Sequence, residues 1–337
     1  MNDNNINWHK TPKHINYDSL INWPKISIIT PSFNQGEFIE ETILSVLNQN
    51  YPNLEYIIID GGSTDNTIEI IRKYESKITF WISEKDSGQT EAINKGFARV
   101  TGEIVNWLNS DDLLVENALD TIANHFIKNK TCLCLIGREY RFYKHKIINE
   151  SLGSSIEKSI EETLIKAHID QPSTYFKTSS IKSIFPLATE LKYCMDTQLW
   201  LNFLIQNGSD NIQSIEQKLI FFRYHNNSKT YKNAIFFRKE LFILLDDLYL
   251  FLVNRKSMFF KEVNLKIDAD YYLKLLEMKK DNEESVVKLY RNSSAYFLSL
   301  NLFKPALLLS FKAIIKNPFC VLNYKYFLVI LKNRILS

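Results

Sequence analysis

Apolar runs alternate with helix-period segments through the first hundred residues of the chain. Lys25 to Thr30 (KISIIT) is a β-branched run closed by Pro31. Gly36 then precedes a segment that places Ile39, Ile43, Val46 and Leu47 on one helical face and stops near Tyr51-Pro52. Glu55 to Ile59 predicts a second strand, closed by Asp60, Gly61 and Gly62. Ser63, Thr64 and Asp65 offer N-caps for a helix whose Ile68, Ile71 and Tyr74 face the sheet. Thr79 to Ile82 predicts a third strand, Thr90 to Ala98 a third helix and Ile104 to Leu108 a fourth strand. Strands alternating with helices predict βαβ units and a mostly parallel sheet flanked by helices. Right-handed crossovers bring the loops after such strands to one edge, where open α/β sheets bind ligands. Those loops are PSFNQ (Pro31 to Gln35), DGGSTD (Asp60 to Asp65), SEKDSGQTEAINKG (Ser83 to Gly96) and NSDD (Asn109 to Asp112). Together they predict a crevice rich in carboxylates, hydroxyls and backbone amides, with neither a P-loop nor a GxGxxG device.

Composition narrows the reading modestly. The 337 residues are 45% hydrophobic and 23% charged, an ordinary globular balance with room for one large domain plus a smaller one. A net charge of +3, without a basic stripe interleaved with aromatics, argues against nucleic acid as a partner. Cys132, Cys134, Cys194 and Cys320 have neither zinc-ligand spacing nor disulfide-framework density, so free thiols in a reducing compartment are expected. The N-terminus lacks an apolar signal-peptide core, and no window approaches the roughly 20 apolar residues of a membrane span. A cytoplasmic location is expected, with peripheral attachment to the inner face of the membrane as the alternative.

The chemistry concentrates in Glu103 to Leu114, EIVNWLNSDDLL, where a buried strand ends in Asn109, Ser110, Asp111 and Asp112. Adjacent carboxylates repel each other and call for a cation or for solvent. A hard divalent ion carrying substrate phosphates is one solution, and an acidic N-cap for the next helix is the other.

The succession ISIITPSFNQGEFIEETILSVLNQNYPNLEYIIIDGGSTDNT, then SEKDSGQTEAINKGFARVTGEIVNWLNSDD, resembles the family 2 inverting glycosyltransferases over about Lys25 to Thr230. The resemblance implies the GT-A fold, a Rossmann-like α/β domain that binds a nucleotide sugar, with UDP favoured. It places Asp60 against the nucleobase and Pro31, Phe33 and Asp86 near the nucleoside. It identifies Asn109-Ser110-Asp111 with the family's DxD element, Asp111 being the metal ligand and Asp112 standing beside it, for Mn²⁺ or Mg²⁺. Two departures stand out. Gly61 replaces the second residue of a common Asp-Asp pair, and Asn109 replaces the first Asp of the strict motif.

Further along, CLCLIG and Glu139 to Ile148 predict a strand and a ribbon. Gln171, in the QPST loop, borders the acceptor pocket by resemblance, or simply sits in a proline turn. Asp196 heads a predicted amphipathic helix, Thr197 to Gln206, that carries Trp200 on the acceptor side. An N-cap explains Asp196; by resemblance it is also the general base that an inverting transfer requires. Leu219 to His225 predicts another strand. Arg223 and Lys229 are placed near the diphosphate, and His225 is either a third metal ligand or a structural group. The expected domains are an extension over 1–24, a GT-A domain over 25–230 and an all-α region over 231–337. Ser294 to Pro318 looks like one tetratricopeptide-type hairpin, and Val321 to Leu336 like a packed or interfacial terminal helix. That region would serve oligomerisation or peripheral membrane contact. The expected activity is metal-dependent, inverting transfer from a nucleotide sugar to a glycan or lipid-linked hydroxyl. Sugar-1-phosphate nucleotidyl transfer and a non-catalytic glycan-binding scaffold are the alternatives.

Overall fold

The computed structural model describes residues 17, 21–225, 228–229, 233–252, 257–260, 267–281 and 314. The first strands and helices fall where the patterning places them. They are β1 (Ile26–Ser32), α1 (Ile39–Leu47), β2 (Leu54–Asp60), α2 (Thr67–Lys73), β3 (Phe80–Ser83), α3 (Gln89–Phe97) and β4 (Ile104–Trp107). Short β5 (Leu113–Leu114) and α4 (Ala118–Lys128) follow, then the hairpin β6 (Cys134–Tyr143) and β7 (Lys146–Ser151). After α5 (Ile160–Lys166) come β8 (Thr174–Lys177), α6 (Thr178–Ile181), α7 (Met195–Asn207), β9 (Ile212–Arg223) and α8 (Ala234–Leu252).

The strands form one sheet in the order β3-β2-β1-β4-β8-β6-β9-β5, with β7 added beside β6. The four strands β3, β2, β1 and β4 are mutually parallel. Beyond β4 the sheet is mixed, because β8 runs antiparallel to both β4 and β6 while β6 and β9 are parallel. This is an α/β architecture with helices flanking a mixed sheet.

Every residue of β1 is buried, so its polar members need partners. Ser27 donates to Glu55 at 2.6 Å, and Thr30 meets the Tyr56 hydroxyl at 3.2 Å. Glu55 is itself buried. Burial pushes its carboxyl up, but donors from Ser27 and Thr101, together with Lys25 at 3.1 Å, outweigh that and hold it at about 2. The apolar faces of β1, β2 and β4 pack on α1 and α4 through Ile28, Ile43, Ile58, Ile104 and Leu119. Ahead of β1, Tyr17, Trp23 and Tyr51 meet edge to face.

The chain divides into two compact units, Met1–Ile267 and Asp268–Ser337. The first extends past the boundary expected at 230/231 because α8 packs on the turn before α7. Glu240 of α8 bonds the backbone there, and Phe236 stacks on Tyr193 with ring centroids 5.5 Å apart. In the second unit, α9 (Ala269–Asp281) begins with the Asp268 side chain accepting the Tyr271 amide at 2.9 Å. The repeat-like hairpin, apart from Ile314, and the terminal helix expected from the sequence lie outside the described residues. Among those described, no helix is long and apolar enough to cross a membrane.

Candidate active site

The loops after β1, β2, β3 and β4 converge on a cleft of about 790 Å³. The parallel register explains the convergence, since Ser32 lies beside Asp60 and Asp60 beside Ser83 at the strand ends. Pro31, Phe33 and Asp86 line this cleft as expected. Phe33 is 56% exposed at the rim, an apolar ring open to a ligand. Asp60 is not among the lining residues. It is fully buried, and its carboxylate accepts from the amides of Gly62 and Ser63 and the hydroxyls of Ser63 and Ser83. Three donors meet its Oδ2 and one its Oδ1, so Asp60 braces the loop from behind the cleft wall. Gly61 is on the cleft. A Cβ there would lie 2.9 Å from both Asp86 carboxylate oxygens, so the Asp86 carboxyl fills the place a second Asp would need. Burial raises the Asp86 carboxyl above its ordinary range.

The element after β4 divides its two carboxylates. Asp111 faces the cleft, with its Oδ2 2.9 Å from His225 Nε2. The partners are 114 positions apart and meet because β5 pairs with β9. Phe38 packs against the His225 ring at 4.6 Å. Asp112 has a different role: it is 1% exposed, accepts the Arg223 amide at 2.9 Å and accepts from the Asn109 side chain at 3.1 Å. Burial and the adjacent Asp111 push its carboxyl well up. Each of its oxygens thus already accepts one hydrogen bond from the wall. Arg223 is also committed. Its Nε donates to Asp111 O at 2.7 Å, its Nη2 pairs with Glu41, and its guanidinium lies between the Phe38 and Phe142 rings. It therefore fixes Asp111 and is not free to reach a diphosphate. Asn109 accepts from Gln89 at 2.8 Å.

Opposite stands Asp196, half-buried on the cleft wall. The helix begins two residues earlier than expected, with Cys194 as N-cap, so Asp196 lies in the first turn. Its Oδ1 accepts the Thr197 amide at 2.7 Å. Desolvation dominates its environment and pushes the carboxyl up to about 6. The helix itself is buried almost all round and not amphipathic. Trp200 is fully buried, stacked on Phe203 at 5.9 Å, and does not reach the acceptor side. Gln171 does line the cleft, but its amide nitrogen is held by Asn106 Oδ1 at 2.7 Å and Trp107 O at 2.8 Å.

Two ammonium groups close the rim. Lys229 Nζ reaches Gln89 Oε1 at 2.8 Å, and Lys192 Nζ reaches Ser87 O at 2.9 Å. Desolvation, with Lys192 next in weight, lowers the Lys229 pKa. Sequence reasoning missed Lys192, which stands in an unremarkable LKYCMD run. It also missed Glu139, buried by the cleft and pushed up to about 8 by burial and by Asp170.

Residues 27–185 match the sequence model of Glycosyl transferase family 2. The poly(ribitol-phosphate) β-N-acetylglucosaminyltransferase TarP of Staphylococcus aureus (strain N315) is 30% identical over 301 residues, covering 87% of this chain and 73% of TarP. The chain belongs to glycosyl transferase family 2. It is thus a glycosyltransferase, which sets aside the nucleotidyltransferase and scaffold alternatives. A second family 2 relative, the GalNAc(5)-diNAcBac-PP-undecaprenol β-1,3-glucosyltransferase of Campylobacter jejuni, is 28% identical over 53% of this chain and 59% of its own length. The crystal structure of S. aureus TarS 1-349 in complex with UDP-GlcNAc superposes with a TM-score of 0.60, covering 93% of this chain and 92% of that one. At 16% identity that likeness shows the GT-A fold alone. The family match ends before Asp196, Arg223, His225 and Lys229, so a third of the cleft lining lies outside it.

Proposed function

We propose that this chain is an inverting glycosyltransferase that takes a UDP-sugar and glycosylates a hydroxyl of a surface-glycan or lipid-linked acceptor. The observation that carries the reading is Asp196. It is a cleft carboxylate pushed up to about 6, facing the same space as the Asp111–His225 pair. A base with that proton affinity is ionised at neutral pH yet accepts a proton more readily than an ordinary Asp. UDP-GlcNAc is bound by TarS, and TarP and the Campylobacter enzyme are named for transfer to a phosphate polymer and to a lipid-linked saccharide. Those names support the donor and acceptor classes proposed here.

In this mechanism the acceptor oxygen attacks the anomeric carbon from the face opposite the diphosphate. Its proton passes to Asp196, whose Oδ1 is occupied by Thr197 and whose Oδ2 is the accepting atom. The bond from the anomeric carbon to the diphosphate oxygen breaks, and the nucleoside diphosphate departs. Lys229 and Lys192 stand at the rim to meet its charge. Phe33 offers its exposed ring to the nucleoside.

The donor set also fits a divalent cation, Mn²⁺ or Mg²⁺. One carboxylate oxygen and one imidazole nitrogen converge at 2.9 Å on the cleft. Among the described residues no group of three His, Cys, Asp or Glu does so. Two protein ligands with phosphate oxygens and water completing the shell are a familiar arrangement for such ions. Asp111 and His225 would hold the ion, which would supply charge neutralisation to the leaving diphosphate.

A nucleotide-sugar panel, read by nucleotide release with and without Mn²⁺, tests the donor and metal readings. The product's anomeric configuration tests inversion. A UDP-sugar should be turned over with the metal present and its configuration inverted. Retention of configuration would overturn the mechanism, and turnover of only GDP-, TDP- or CMP-sugars would overturn the donor.

A further inference from the structure

The turn that presents Asp196 is not held by its own side chains. Cys194 caps α7 without a side-chain hydrogen bond to the helix. The amides of the cap and of the two residues before it find an acceptor in α8. Glu240 Oε1 accepts the Lys192 amide at 3.0 Å, and Oε2 accepts the amides of Tyr193 at 2.8 Å and Cys194 at 2.9 Å. Three successive backbone N–H groups thus converge on one carboxylate. Such charge-assisted bonds are stronger than neutral ones, and an anion is favoured at a helix N-terminus. Lys192 and Tyr193 of the clamped tripeptide line the cleft. At one end Lys192 Nζ holds Ser87 O of the loop after β3, and at the other Asp196 stands two residues beyond Cys194. Cys194 Sγ adds a contact to Phe237 O at 3.2 Å.

We propose that Glu240 is a positioning residue for Asp196. By clamping the Lys192–Cys194 backbone it sets where the base stands, and it makes α8, which lies beyond the family match at 27–185, part of the catalytic unit. The inference rests on the proposed role of Asp196 as base. Its physical ground is the tolerance of the reaction. A displacement of about 1 Å in a catalytic group costs on the order of 10²-fold in rate, whereas binding to groups elsewhere in the cleft is unaffected.

The test uses the full chain and steady-state kinetics, with Asp196→Asn as reference. Glu240→Ala should lower kcat by roughly 10- to 100-fold. Donor KM and UDP affinity should change much less than kcat, because Phe33, Asp86 and Asp111 stand on other loops and Lys192 is the one donor-side group on the clamped segment. Glu240→Gln keeps an acceptor for the Tyr193 and Cys194 amides but turns an NH2 toward the Lys192 amide, so it should recover part of the loss. In an Asp196→Asn background, Glu240→Ala should cost far less than in the wild type, since most of the effect of the clamp passes through the base. Should the alanine variant fail to fold, Glu240→Asp decides. Its shorter arm cannot reach all three amides, so kcat should fall about tenfold with a much smaller change in donor KM. Unchanged kcat in the alanine or aspartate variant would overturn the inference. So would equal losses of kcat and UDP affinity, or a full additional loss on top of Asp196→Asn. If Asp196→Asn alone keeps normal turnover, the base assignment fails instead, whatever the Glu240 variants show.

Discussion

Replacing Asp196 by Asn should make the protein more stable and nearly inactive. The amide keeps the shape of the carboxylate and its Oδ1 can still accept the Thr197 amide. In the fold the Asp196 carboxyl titrates near 6 against an ordinary 3.8, so the structure disfavours the ionised form. That displacement corresponds to about 3 kcal/mol at full burial. Asp196 is only half-buried, and screening leaves an expected gain of ~1–2 kcal/mol. The gain should appear as a Tm rise of roughly 2–6 °C at neutral pH. The sign of its pH dependence follows from the raised value. Above about pH 6 the wild-type carboxylate is ionised in both states and pays the full desolvation. Below about pH 4 it is protonated in both, and the advantage of Asn disappears. Transfer should fall by about 10²–10⁴-fold, mainly in kcat, because an amide cannot take the acceptor's proton. Wild-type kcat should in turn decline as pH falls through about 6. Thermal shift from pH 4 to 8 and kcat at saturating donor check both halves. A variant that is less stable at pH 7, or that loses UDP binding along with turnover, would refute the argument and leave Asp196 a structural cap.

Asp111→Ala should remove metal-dependent UDP binding and abolish transfer, as titration calorimetry with and without Mn²⁺ would show; wild-type turnover at saturating donor would remove Asp111 from the site. Gly61→Asp would set a Cβ 2.9 Å from the Asp86 carboxylate and a second acid beside it. Donor KM should rise about tenfold with kcat less affected, and an unchanged KM would show that Asp86 is not in contact with donor. Glu55, held at about 2 by Ser27, Thr101 and Lys25, contributes stability that is present above about pH 4.5 and is lost as pH falls through 2. Glu55→Gln should lower the unfolding free energy at neutral pH, read from denaturant titration, by on the order of 2–3 kcal/mol, with the difference shrinking in acid. A pH-independent difference would assign the loss to packing.

The α/β core and the position of the cleft could be read in the sequence because they depend on local periodicity and one topological rule. β-branched runs closed by Pro31, Asp60 and Ser83 specify strands, and right-handed crossovers bring their loops to one edge. Asp111 was reachable for the same reason, since it closely follows a strand whose end must lie at that edge, whereas Asp196, at the start of its helix, was reached through the family resemblance. What the local pattern could not decide is which way each side chain turns once β5, β9, α7 and α8 have packed. Asp111 and Asp112 are neighbours in sequence, yet pairing with β9 sends one to His225 and buries the other under the Arg223 amide. Arg223 looks like a free cation along the chain, but Glu41 and two aromatic rings enclose it. Trp200 sits on a helix that only the surrounding sheet and helices turn from amphipathic to wholly buried. Asp60 is buried behind the cleft, where four donors hold it, two of them backbone amides of its own loop. Glu240 lies 44 positions beyond Asp196 in a run of Phe and Leu and shows no motif. Its role exists only where α8 meets the start of α7, because hydrogen bonds between distant backbone and side-chain groups leave no periodic trace in the order of residues.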